Sequence, residues 1–201
     1  QGRLDYLARM TGPGLPLLRK DFLFDPLQVA ATAATPAAAL LLIVRMLPGG
    51  LLAEMLAAAR GFGIEAVVEV FDQADLARAK AAGATIIQVN NRDLGTLAVD
   101  RGTSLRLAPG KSGGEVWISA SGISEPAHVA ELSAAGFDGF MAAISFRQVS
   151  GSDAILYSLL PQPRDQPVTP GEPNSDRKSA NPPVNRAPTI GDRVLYVRLL
   201  V

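Results

Sequence analysis

From Leu15 to about Leu160 the chain repeats one pattern: a short apolar run, a polar turn, then an Ala/Leu-rich stretch of helical period that closes on glycine. The apolar runs are LPLL (15–18), ALLLIV (39–44), EAVVEV (65–70), TIIQV (85–89), VWIS (116–119) and FDGFMAA (137–143). A recurrence of about 20 to 30 residues suits a strand followed by a crossover helix. Near-continuous apolar strands of this kind belong to a parallel sheet covered on both faces or closed into a barrel.

The turns carry matching signals. Asp25-Pro26-Leu27-Gln28 combines an N-cap aspartate, proline at the first helical position and glutamine at the third, which predicts a capping box. Asp72 and Asp75 open QADLARAKAAG, and Ser124-Glu125-Pro126 opens AHVAELSAAG with Ser124 as the expected cap. Both of these helices end alike, in AAGAT (81–85) and AAGFD (134–138), which places Gly83 and Gly136 just past the last turn in the left-handed conformation. Six strands are two short of a (βα)8 TIM barrel, whose first two strands would then lie upstream of Gln1. The start at Gln1, almost directly in the helical pattern LDYLARM, reads as that of a fragment or a processed product. The alternative is an open doubly wound sheet, for which no G-x-G-x-x-G marks a dinucleotide site.

Beyond Leu160 the pattern stops. Residues 161–188 hold eight of the fifteen prolines, so the expected division is a partial barrel domain over 1–160 and a disordered Pro-rich tail over 161–201. The tail ends in the apolar octamer VLYVRLLV, which fits a native extension, a docking segment or out-of-frame sequence equally well.

Composition narrows the function classes. Lys+Arg and Asp+Glu are both 19, so nothing in the net charge calls for nucleic acid or an anionic membrane as a partner, and a basic-groove function is disfavoured. The absence of cysteine excludes disulfides, thiolate catalysis and Cys-ligated zinc, and fits a reducing cytoplasm. The longest apolar run, Ala37 to Val44, is too short to span a bilayer, and no charged-then-apolar leader opens the chain.

Polar residues collect where the strands end: Lys20, Arg45, Glu69, Asn90, Arg92, Ser119 and Ser121. In a parallel βα array all strand C-termini share one rim, so these groups are expected to converge. In LPLLRKDF the charges follow directly on the strand, and Lys20 in such a place suits a general acid. Alternation in EAVVEV puts Glu69 on the face of Val67, where burial raises a carboxyl's pKa and a nearby lysine lowers it. Asn90 offers both a donor and an acceptor to substrate hydroxyls. Singly, a strand-end lysine is a solvated cap and Glu69 its structural ion-pair partner; several polar ends on one rim favour a site. SASGI (119–123) turns sharply at Ser121-Gly122, where backbone N–H groups could hold a phosphate. His128, a lone histidine on a helix, reads as a surface residue, and Trp117 as core.

LLRKDF followed by DPLQV, LLIV, VVEV, QVNNRDL and SASGI, in that order and spacing, resembles the indole-3-glycerol-phosphate synthase family over residues 1 to about 140. The resemblance implies a (βα)8 barrel with the third to eighth strands present here. It further implies a lyase of tryptophan biosynthesis that closes the pyrrole ring of 1-(2-carboxyphenylamino)-1-deoxyribulose 5-phosphate with loss of carbon dioxide and water. No metal or organic cofactor is implied, and the partner is a phosphorylated small molecule. On this basis Lys20 is the general acid, Glu69 the catalytic carboxylate, Asn90 and Arg92 orient the substrate, and Ser121 and Gly122 belong to the phosphate end.

Three departures accompany the resemblance. The family's E-x-K-x-x-S-P-type motif of the first strand has no counterpart here, which implies that these residues alone are inactive. Ala120 stands where SESGI has glutamate, and Ala142 or Ala143 stands where the eighth strand has a glycine beside the phosphate. A phosphoribosylanthranilate isomerase reading is disfavoured by the lack of cysteine. The contrasting reading is a non-catalytic barrel remnant that self-associates through unpaired sheet edges.

Overall fold

A computed structural model describes residues 3–11 and 16–141. The predicted alternation is present as six parallel strands in sequential order: β1 (Leu17–Arg19), β2 (Ala37–Ile43), β3 (Glu65–Val70), β4 (Ile86–Asn90), β5 (Val116–Ala120) and β6 (Gly139–Met141). Each pairs with the next in chain order, and together they make a curled part-barrel flanked by helices. The helices are α1 (Asp5–Arg9), α2 (Pro26–Ala33), α3 (Leu51–Gly61), α4 (Gln73–Ala81), α5 (Gly102–Leu107) and α6 (Pro126–Ala134). Ala142 and Ala143, expected on the eighth strand, and the expected tail from 161 lie outside the described residues.

The local signals act as their chemistry requires. The Asp25 carboxylate accepts from the Leu27 N–H at 2.8 Å, and the Gln28 side-chain oxygen accepts from the Asp25 N–H at 3.1 Å, closing the capping box of α2. Asp72 caps α4 by accepting from the Asp75 N–H at 2.8 Å. At the ends of α4 and α6, Gly83 (φ 79°) and Gly136 (φ 95°) take the left-handed conformation that frees the next N–H to bond back into the last turn. Ser124 is not the cap of α6: the helix begins at Pro126, so Glu125 holds that position, without a side-chain bond, while the Ser124 N–H donates to His128 Nδ1.

Two apolar layers follow from strand alternation. Leu40, Leu42, Val68, Val70, Ile87, Val89 and Trp117 face the helices and pack on Val29, Met55, Leu76 and Leu132. Leu18, Ala39, Leu41, Ile43, Val67, Ile86 and Ile118 face inward and fill the barrel floor. Trp117 is fully buried, edge-on to Phe137, as expected for core. What matters for function is the inward row, because its members nearest the strand C-termini are polar.

Candidate active site

Lys20 follows β1 on its inward side, while its neighbours Arg19 and Asp21 are structural. Arg19 points outward, is buried, and donates to Thr32 at 2.7 Å and to the Gln28 carbonyl at 3.2 Å of α2. Asp21 pairs with the same guanidinium at 3.0 Å. With both flanking charges spent on the helix side, the Lys20 ammonium stands at the mouth, 3.7 Å from Glu69 Oε2. The lysine side chain is 34% exposed and the glutamate 1%, so the cation meets solvent while the carboxylate lies behind it.

Glu69 occupies the inward face of β3 near its end. Burial pushes its carboxyl above the ordinary 4.5, and the charge of Lys20 and bonds from the Asn90 and Gln88 amides and from Lys20 itself work against that rise. Gln88, the register partner of Glu69 on β4, donates its side-chain N–H to Glu69 Oε2. Sequence reasoning missed Gln88; the available signal was its parity with Asn90, which puts both on the inward face of TIIQVN.

Asn90 closes the network toward β5. Its side-chain oxygen accepts from the Ser121 hydroxyl at 2.9 Å and from the Arg92 N–H at 3.0 Å. Ser121 (φ 70°) and Gly122 (φ 74°) are consecutive left-handed residues. For serine this conformation is uncommon, and it is held by the hydroxyl bond and by the Ser121 N–H donating to the Met141 carbonyl at 3.1 Å. At Gly122 a methyl group would lie 2.5 Å from a methyl carbon of Val99, so only glycine lets the loop after β4 rest on this turn.

The other rim residues do not converge on this point. Arg45 lies in a single 3-10 turn (Val44–Met46), which swings its guanidinium onto Asp72 (2.7 Å) and Asp75 (2.8 Å) at the start of α4. Arg92 is exposed, with its guanidinium on the Leu97 carbonyl at 3.0 Å. Ser119 faces outward into a buried knot with Ser104 and Asn91. There the Asn91 side chain donates to Ser119 and to the Ser121 carbonyl, each at 3.1 Å, and accepts from the N–H and hydroxyl of Ser104. Adjacent asparagines thus divide the work: Asn90 faces the mouth and Asn91 fastens the turn from behind.

His128 corrects a further expectation. It is buried at 9% exposure, because its Nδ1 accepts from the Arg101 guanidinium at 3.1 Å and from the Ser124 N–H at 3.3 Å. The two donors make Nδ1 the unprotonated nitrogen and tie the loop after β4 to the loop after β5. Among the described residues no cluster of three or more His, Asp or Glu is placed to hold a metal ion, and no helix is long and apolar enough to cross a membrane.

A parallel βα part-barrel with a lysine, a buried glutamate and an asparagine at the C-terminal mouth defines the class. Among solved structures, the chain superposes on 3-hexulose-6-phosphate synthase from Salmonella typhimurium with a TM-score of 0.65 at 14% identity, covering 78% of this chain and 77% of that one. Thiamine phosphate pyrophosphorylase from Pyrococcus furiosus matches with a TM-score of 0.59 at 12% identity, over 79% and 76%. At these identities the likeness is one of fold. In sequence, the family model for indole-3-glycerol phosphate synthase matches residues 1–156, and the chain belongs to that family. Relatives bearing that name include those of Roseiflexus sp., 47% identical over 64% of this chain and 49% of that protein, and Sulfurimonas denitrificans, 38% identical over 79% and 61%. The chain spans about half the length of several curated relatives that it matches.

Proposed function

We propose that this chain supplies the Lys20–Glu69 half of an indole-3-glycerol phosphate synthase site, converting 1-(2-carboxyphenylamino)-1-deoxyribulose 5-phosphate to indole-3-glycerol phosphate in a cytoplasmic setting. The observation that carries this reading is the 3.7 Å pairing of a mouth-facing ammonium with a buried carboxylate inside one network with Asn90 and Ser121. Ring closure expels carbon dioxide from the aromatic ring and then water formed from the attacked carbonyl oxygen. That oxygen takes up two protons, and one proton leaves the adjacent carbon. Lys20 is the general acid that protonates the oxygen, since it is cationic and open to the mouth. Glu69, held back in a dry wall with a raised pKa, suits the proton transfers of the dehydration. Asn90 orients substrate hydroxyls, Arg92 contacts substrate from its loop, and the Ser121-Gly122 turn takes the phosphate end.

The test follows the fluorescence of indole-3-glycerol phosphate with this chain, alone and joined to the leading barrel segment of the Roseiflexus relative. Turnover that falls about 100-fold or more in Lys20→Ala supports the reading. No turnover from a folded joined protein overturns it.

A further inference from the structure

Gln88 is fully buried in the inward wall of β4, with apolar Val67, Ile86 and Ile118 on the same face. Its side-chain N–H donates to Glu69 Oε2, and its Oε1 has no hydrogen-bond partner in the described structure. A buried amide in an apolar wall is costly unless it bonds, so a glutamine whose side chain is spent on one carboxylate calls for a reason connected with that carboxylate. We propose that Gln88 is a positioning residue for Glu69, fixing the direction of the carboxylate toward Lys20 and the pH at which it gives up its proton. This rests on the proposed function for the statement that Glu69 does chemistry.

The groups facing Glu69 support the assignment. Lys20 reaches it from the end of β1, the Gln88 and Asn90 amides reach it from β4, and its register partner on β2, Ile43, is apolar. Among the described residues Lys20 is therefore the charged group on Glu69, and the amides are the neutral donors. An amide has a donor and an acceptor. The N–H serves the ionised carboxylate; the spare oxygen, after the amide turns over, accepts the O–H of the protonated one. One side chain then holds Glu69 in place in both states of a proton transfer.

The test uses the full chain with 13C-labelled glutamate side chains, titrated by NMR, the Glu69 signal being the one absent from Glu69→Gln. In Gln88→Met, which keeps the length and removes the donor, the Glu69 midpoint moves upward by about one pH unit while circular dichroism shows an unchanged fold. In Gln88→Glu, two carboxyls compete for one proton and the midpoint also rises. An unchanged midpoint in folded Gln88→Met overturns the proposal, and if that variant does not fold, an unchanged midpoint in Gln88→Glu does so. In the joined protein, the limb of the kcat profile set by Glu69 moves the same way, with KM altered by less than about twofold. A shifted midpoint without turnover in any form leaves the Gln88 assignment standing and overturns the reaction. Turnover with an unchanged midpoint does the reverse.

Discussion

Asn90 and Ser121 meet across the mouth of the barrel, the serine hydroxyl donating to the asparagine oxygen at 2.9 Å. This bond joins the last residue of β4 to a left-handed residue just past β5, so the side proposed for proton transfer and the turn proposed for phosphate share one asparagine. Disturbing the turn should therefore be felt at Glu69.

Gly122→Ala tests the turn. The added carbon would meet Val99 at 2.5 Å and the Arg101 side chain at 3.1 Å, at a backbone angle that L-residues avoid. The expected loss is about 2–3 kcal/mol of stability in denaturant unfolding, with weakened substrate binding in the joined protein. An unaltered unfolding midpoint would mean that the loop after β4 lifts away at no cost.

Lys20 has two separable effects, its charge and its proton. Lys20→Met should raise the Glu69 midpoint and abolish turnover together. Lys20→Arg should keep Glu69 near its original midpoint yet leave turnover about 100-fold down, because a guanidinium does not release its proton at neutral pH. Restored turnover in the arginine variant would remove Lys20 from the role of general acid.

The raised pKa of Glu69 has a stability consequence of definite sign. The unfolded carboxyl loses its proton near the ordinary 4.5, whereas the folded one keeps it to higher pH. Between those values the native state holds more protons than the unfolded state, so this group's contribution is complete below 4.5 and is lost as pH rises through the folded value. Glu69→Gln, neutral throughout, should be no more stable than the parent at pH 4, should gain on it as pH rises above 4.5, and should hold that gain once the folded carboxyl has ionised. Denaturant midpoints at pH 4, 6 and 8 decide this, and a constant difference would contradict the burial account.

His128→Ala removes the acceptor shared by Arg101 and the Ser124 N–H. The expected cost is about 1–3 kcal/mol, together with faster amide exchange in residues 121–124, which hydrogen exchange followed by mass spectrometry would resolve. Protection equal to that of the parent would show that the turn is held without the histidine.

Much of this architecture could be read from the chain. EAVVEV matches β3 residue for residue, and the caps at Asp25 and Asp72 hold as expected. The rule that parallel strands end at one rim placed Lys20, Glu69, Asn90 and Ser121 together, and in the structure they form one network. Arg45 escaped because parity holds only while the strand continues: two residues past Ile43 it would point inward, but the 3-10 turn intervenes. Ser119 was misplaced for the simpler reason that it is out of step with the inward Ile118 and Ala120. Gln88 looked like a strand residue, since its significance depends on Glu69 across the ladder. His128 looked solvated because its partner, Arg101, is 27 positions away in the chain. Interactions encoded within one element were legible, and those between loops were not.

The back-to-back asparagines carry a consequence for how this sequence can change. Asn90 and Asn91 have the same composition and opposite duties, separated only by the alternation of one strand. Deleting Ile86 or Ile87, ahead of Gln88 in β4, would still leave an asparagine at the mouth, because Asn91 would take the place of Asn90, yet would turn Gln88 away from Glu69. A change of length in β4 ahead of Gln88 is therefore felt at the Glu69 carboxylate even where every letter of the mouth is kept.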